Sequence, residues 1–114
     1  MKNDVDCVVH AINNAVGFPL LAKHQVERDL AFDFDPEVGF TPEVVVKYVR
    51  QTRGIYFKRV PQASSSGRYI IEVAKPTYNH MIALVNGRFK DNELKIHYRI
   101  GSQDKIVQIY KLIN

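Results

Sequence analysis

The feature that most constrains this chain is a change of hydrophobic period near Gly54. Before it, apolar residues recur every three or four positions; after it they alternate or run together in short stretches. Residues 6–16 predict a first helix, with Asp6 as N-cap and Gly17 as its stop. Pro19 suits the start of a second helix to about residue 31, with Leu20, Leu21, His24, Val26 and Leu30 as periodic positions. Thr41-Pro42-Glu43 opens a third, capped by Thr41, with Val45, Tyr48 and Val49 on its apolar face and Gly54 at its end. Strands are expected over 55–60, 68–74, 80–85, 88–90, 94–100 and 106–112, with a polar loop over 61–67. Helices followed by consecutive strands imply one α+β domain spanning residues 1–114. Its N-terminal helices pack on a C-terminal, mostly antiparallel β-sheet.

At 114 residues the chain can bury roughly two-thirds of its unfolded surface, enough for a core without metal or disulfide support. A single cysteine makes no internal disulfide, which points to a reducing compartment such as the cytoplasm. No apolar run approaches the ~18 residues of a membrane span, so no membrane partner is expected. Met1-Lys2-Asn3-Asp4 runs straight into the first helix, an arrangement expected to leave no room for a secretory leader. The net charge of +4 permits acidic partners or nucleic acid without demanding either.

That one cysteine, Cys7, falls at the start of the first predicted helix, where the partial positive charge of a helix terminus lowers a thiol pKa. At 100° per residue, Val8, Val9, Ala11, Ile12, Ala15 and Val16 share one arc, and Cys7, His10, Asn13 and Asn14 the other. The thiol is therefore expected off the apolar stripe, with His10 and Asn14 as site neighbours. Asn13 and Asn14 are poor mid-helix residues and predict side-chain hydrogen bonds to an adjoining loop.

Downstream, Asn86-Gly87 between apolar runs signals a two-residue hairpin turn. It would pair Val85 with Arg88, Leu84 with Phe89, Ala83 with Lys90 and Ile82 with Asp91. His80 and Asp91 then share a face as diagonal neighbours, within side-chain reach. The parts suit nucleophilic catalysis: Cys7 attacks a carbonyl as thiolate, His80 holds and passes the proton, and Asp91 fixes the imidazole. The Cys7 backbone N–H and the Asn3 side chain are the candidate oxyanion donors. The loop over 62–67 is expected to border the substrate cleft.

The run Asp6-Cys7-Val8-Val9-His10-Ala11-Ile12-Asn13-Asn14-Ala15-Val16-Gly17 resembles the nucleophile helix of small papain-like cysteine peptidases. Its Cys-x-x-His-x-x-Asn-Asn spacing is similar to that of Josephin-type deubiquitinases. The His80-Met81-Ile82-Ala83-Leu84-Val85-Asn86-Gly87 run with Asp91 resembles small papain-like proteins of phages and other viruses. Gly39-Phe40-Thr41-Pro42 stands where the family has a helix between nucleophile and base. The resemblance implies a papain-like fold and a Cys7-His80-Asp91 thiol protease. It also implies peptide or isopeptide hydrolysis on a protein or ubiquitin-like substrate, without a cofactor, in the cytoplasm or, for a viral protein, the host cytoplasm. Two departures stand out. The family's oxyanion Gln has no counterpart among Asn3, Asp4 and Asp6, and Met81 follows the His where the family commonly has Trp. A catalytically inactive papain-like fold that binds protein or nucleic acid is the alternative.

Blander readings apply residue by residue. A lone cysteine is usually a small buried hydrophobe, His80 alone a strand-end histidine bonded to backbone, and Asp91 ordinary turn chemistry. His24 and His97 read as surface or half-buried residues, and Tyr78-Asn79 as the strand entry. Cys7 and His10, with His80 or Asp91, do not make the paired spacing of a structural zinc site, so no metal is expected. Tyr56-Phe57-Lys58-Arg59, His97-Tyr98-Arg99 and Tyr110-Lys111 interleave aromatic and basic residues as a nucleic-acid surface would. Alternating half-buried strands give the same pattern.

Overall fold

The computed structural model describes residues 5–30, 41–76, 78–90 and 104–113, and of residues 5 and 6 the backbone alone. Among these residues, the helices α1 (Val5–Val16), α2 (Lys23–Asp29) and α3 (Pro42–Arg53) precede the strands β1 (Phe57–Val60), β2 (Arg68–Ala74), β3 (Asn79–Val85), β4 (Arg88–Lys90) and β5 (Lys105–Leu112). The α+β class follows directly. The expected strand over 94–100 lies outside the described residues.

Helix α1 already includes Val5, so Asp6 stands inside the helix rather than at its cap. The helix ends at Gly17, whose φ of 90° only glycine adopts without strain, and the Gly17 N–H closes on the Asn13 carbonyl at 2.9 Å. The second helix does not start at Pro19: residues 19–22 form no regular element, and α2 starts four residues after the proline. Asn13 is the reason. Its Nδ2 donates to the Leu21 carbonyl (3.0 Å) and its Oδ1 accepts from the Leu21 N–H (2.9 Å), which occupies both main-chain groups of Leu21. Ala22 stays extended at φ −109°, ψ 132°. The seven-residue α2 is too short to persist alone, and the fully buried Val26 ties it to the core.

The start of α3 follows the sequence closely. Thr41 is extended, its hydroxyl accepts from the Val44 N–H, and Pro42 sits where its missing donor would have had no helical partner. Gly54 at φ 67° terminates it. Val45, Tyr48 and Val49 are buried. Tyr48 donates to Asp29 Oδ2 at 2.6 Å and so bridges α3 to the end of α2. Burial first, and then this carboxylate, pushes its ionisation above the ordinary tyrosine value.

The described strands form one antiparallel sheet in the order β1-β5-β2-β3-β4. The β3–β4 hairpin has the expected register, Val85 with Arg88, Leu84 with Phe89 and Ala83 with Lys90. Asn86 and Gly87 both take positive φ, as a two-residue turn of this handedness demands. The β2–β5 ladder shifts register between Glu72 and Val73: Glu72 opposes Gln108 and Val73 opposes Ile106, leaving Val107 as the extra residue of a bulge.

Both faces of the sheet are covered. Ile70, Met81, Ala83, Val85 and Tyr110 join Cys7, Val8, Ile12 and the helix residues in one buried cluster. Tyr69, Ile71, Val73, Ile82, Leu84 and Ile109 form a second on the opposite face, with Val60, Ala63 and Phe89 against it. This explains why β2 and β3 read as nearly continuous apolar runs rather than alternating ones.

Candidate functional site

The place of Cys7 follows from how α1 lies on the sheet. The helix packs along β3 and, to a lesser extent, β2. Its last turn is fixed by Arg68, the first residue of β2, whose Nη1 donates to the Ala15 carbonyl at 2.8 Å. Arg68 opposes Val85, so this is the end of the sheet where β3 finishes. The helix is about 18 Å long and β3 about 20 Å. Cys7 lies two turns before Ala15, on the part of α1 away from this anchored end.

Cys7 is 6% exposed and belongs to the helix-side cluster. That corrects the expectation of a thiol off the apolar stripe. Cys7 heads the i, i+4, i+8 row with Ala11 and Ala15, both buried, and the covered arc of α1 is wide enough to include that row. His10, one turn on, and Asn14, two turns on, are half-buried. Of the paired asparagines, Asn13 makes the expected loop bonds, to Leu21.

His80 is the second residue of β3, half-buried and paired with Val73. Its ring meets Tyr78 edge-on at 6.4 Å and 76°. The ladder from Asn79 to Val85 runs without a bulge, so His80 has the parity of Ile82 and Leu84, while Met81 has that of the cluster containing Cys7. Cys7 thus belongs to the helix-covered side of the sheet, while His80 has the parity of the opposite face of β3. Asp91, Asn3 and His97 lie outside the described residues. His24 is exposed on α2.

The loop over 62–67 does not border the end of β3 that carries His80. The Asn86 N–H donates to the Gly67 carbonyl (2.8 Å), and the Gly67 N–H donates to Asn86 Oδ1 (3.2 Å). These bonds bind the loop to the hairpin turn at the far end of β3. Within the loop, the Ser64 hydroxyl and backbone N–H both address the Tyr69 hydroxyl, and these bonds lower its ionisation.

Sequence reading missed a polar chain on the helix-covered face. Glu72, 4% exposed, accepts from Gln108 Nε2 at 2.7 Å and from Asn79 Nδ2 at 3.2 Å. Gln108 Oε1 in turn accepts from the Tyr110 hydroxyl at 2.9 Å. Burial first, then the Glu43 carboxylate, raises the Tyr110 ionisation, with Glu72 adding and Arg59 opposing. The signal was present: Tyr-Ile-Ile-Glu-Val-Ala places a lone acid inside an apolar strand, and parity with Ile70 turns it toward the helices. Among the described residues, no three of His, Cys, Asp and Glu gather closely enough to hold a metal ion.

Of the aromatic residues offered for base stacking, Tyr98 lies outside the described residues. Phe57 and Tyr110 are buried, and Tyr56 lies under the Arg50 guanidinium, 4.7 Å from ring centroid to carbon. No helix of the described residues is long and apolar enough to cross a membrane. No protein-family model, no curated protein and no solved structure matches this chain.

Proposed function

We propose that the chain is a papain-like thiol hydrolase cleaving an amide or isopeptide bond in a protein or peptide, ubiquitin-like substrates included. One relationship carries the reading. Helix α1, which carries Cys7, packs mainly against β3, the strand that carries His80, and its last turn is tied by Arg68 to the end of the sheet where β3 finishes. In this mechanism the Cys7 thiolate, favoured by the helix terminus, adds to the carbonyl carbon, and the carbonyl π electrons move to oxygen. The Cys7 N–H and the Asn3 side chain hold that oxyanion. His80, protonated by the thiol, passes its proton to the leaving amine as the C–N bond breaks. Water, deprotonated by His80, then hydrolyses the thioester and regenerates the thiol. Asp91 holds the imidazole tautomer. A reduced thiol of this kind suits a reducing cytoplasm.

A second reading is favoured by a specific observation, the burial of Cys7 on the face opposite to the parity of His80. In it, the same fold is catalytically silent and binds a protein partner. Iodoacetamide labelling across pH separates the two. The hydrolase reading expects Cys7 to react faster than free cysteine at pH 7 and His80→Ala to erase the difference. Equal rates in wild type and variant leave the silent scaffold. A ubiquitin fragment bearing a C-terminal electrophile then asks whether the Josephin-like spacing reaches as far as the substrate.

A further inference from the structure

The buried polar chain is a costly feature for a sheet face otherwise made of hydrocarbon. A carboxylate and two amide groups could be replaced there by Leu or Val, commonly with a gain in stability, because each polar group must recover its lost hydration through hydrogen bonds. The chain ends at one particular place: Asn79, the residue before His80.

The geometry there is a clamp. Asn79 opens β3 opposite Ala74, the last residue of β2, so this rung closes the ladder and is the one most prone to fray. Asn79 Nδ2 reaches diagonally to Glu72, two residues further into β2. Glu72 is held by Gln108 of β5, and Gln108 by Tyr110. The connecting turn is fastened again by the Lys75 N–H to the Tyr78 carbonyl (2.8 Å) and by Lys75 Nζ to the mostly buried Asp104 Oδ2 (3.0 Å), just ahead of β5. On the other side of the strand, Tyr78 and His80 touch edge to face. In Tyr78-Asn79-His80 the middle residue is anchored on the helix-covered face and its two neighbours stand together on the opposite one.

Glu72 also fixes which way the Asn79 amide faces. Asn79 Oδ1 is buried and has no hydrogen-bond partner among the described residues, so only the bond from Nδ2 to Glu72 orients the group. A flip would bring Oδ1 against the Glu72 carboxylate.

We infer that Glu72 and Asn79 are positioning residues for His80: their bond fixes the entry of β3, and with it the imidazole. The inference rests on the reading of His80 as the catalytic base, and it concerns how that base is held.

The test uses the full chain and two readouts: the His80 ring titration by NMR and the rate of Cys7 alkylation by iodoacetamide against pH. N79A removes the clamp without changing charge. N79D/E72Q reverses its polarity: the introduced amide on β2 donates to the introduced carboxylate on β3, and its oxygen still accepts from Gln108. N79A is expected to move the His80 midpoint by about half a pH unit or more. It is also expected to slow Cys7 alkylation at pH 7 about tenfold, the scale of a small misplacement. N79D/E72Q is expected to restore both. Should N79A fail to fold, N79D against N79D/E72Q makes the same comparison. An N79A protein that melts at lower temperature but keeps the wild-type His80 midpoint and alkylation profile overturns the inference, because a purely structural bond does that much and no more. The readouts also part the two ideas. Loss of the alkylation advantage in wild type strikes the hydrolase reading, whereas an unmoved His80 ring strikes the clamp.

Discussion

Arg68 donates to the carbonyl of Ala15, so a strand side chain closes the last turn of the helix that carries Cys7. The guanidinium meets both an orphan carbonyl and the negative end of the helix dipole. Arg68→Ala is expected to cost about 1.5 kcal/mol, the scale of a hydrogen bond to a charged group, read as a lower urea midpoint with unchanged slope. Arg68→Lys should recover part of this, since lysine supplies the charge without the planar fork.

Asn13 holds Leu21 by both main-chain groups. Asn13→Ala leaves a donor and an acceptor without partners and is expected to cost about 2 kcal/mol. Amide exchange should then rise at Leu21 and through α2, while α3 keeps its protection.

Gly17 and Gly54 both end helices at positive φ, but their surroundings differ. An added Cβ at Gly54 meets nothing within 4 Å, whereas at Gly17 it comes within 3.3 Å of Arg68 Nη1. Gly54→Ala should cost about 1 kcal/mol from backbone strain alone. Gly17→Ala should cost more, and in the Arg68→Ala background the two alanine penalties should converge. Thermal melts of these variants decide this.

Three tyrosines should ionise in sequence. Tyr69, lowered by its Ser64 bonds, comes early, while Tyr48 and Tyr110 resist. A raised folded-state pKa contributes stability that is present below the unfolded value of 10.0 and is lost as pH climbs past it. Tyr110→Phe is therefore expected to flatten the loss of stability above pH 10. At pH 7 it should cost about 1 kcal/mol, because Gln108 Oε1 loses its donor. Absorbance at the phenolate band and urea titrations at several pH values supply the readouts.

The hydrolase reading makes a kinetic demand. Cys7→Ala and His80→Ala should each abolish turnover of a cleavable substrate, and the double variant should be no slower than either alone, since the two act as one unit. Additive losses would remove the shared step.

Much of the architecture could be read from residues that act locally. Thr41-Pro42, Gly54 and Asn86-Gly87 each impose a backbone geometry on their neighbours, and each behaved accordingly. The second helix was misplaced because its start is decided by Asn13, eight residues before Leu21, and no local propensity carries that information. Helical-wheel reasoning put Cys7 outside the core because it assumed a single covered arc; α1 touches both sheet and α2. The thiol's place on the first turn and the histidine's at the strand entry were legible. The opposite parity of Cys7 and His80 was not, since it depends on which face of β3 receives the helix. Glu72 was visible as an oddity, but its partners arrive from β3 and β5, and only the sheet order brings them together.

The sheet is a partition with a separate half-core on each side, and β2 and β3 supply side chains alternately to both. Mutational damage should therefore be compartmental. A truncation at Ile82 hollows the side away from the helices and leaves the wall behind Cys7 standing, while one at Met81 does the reverse. Adjacent residues of a single strand thus answer to different neighbourhoods, and sequence drift on one side can proceed without consulting the other.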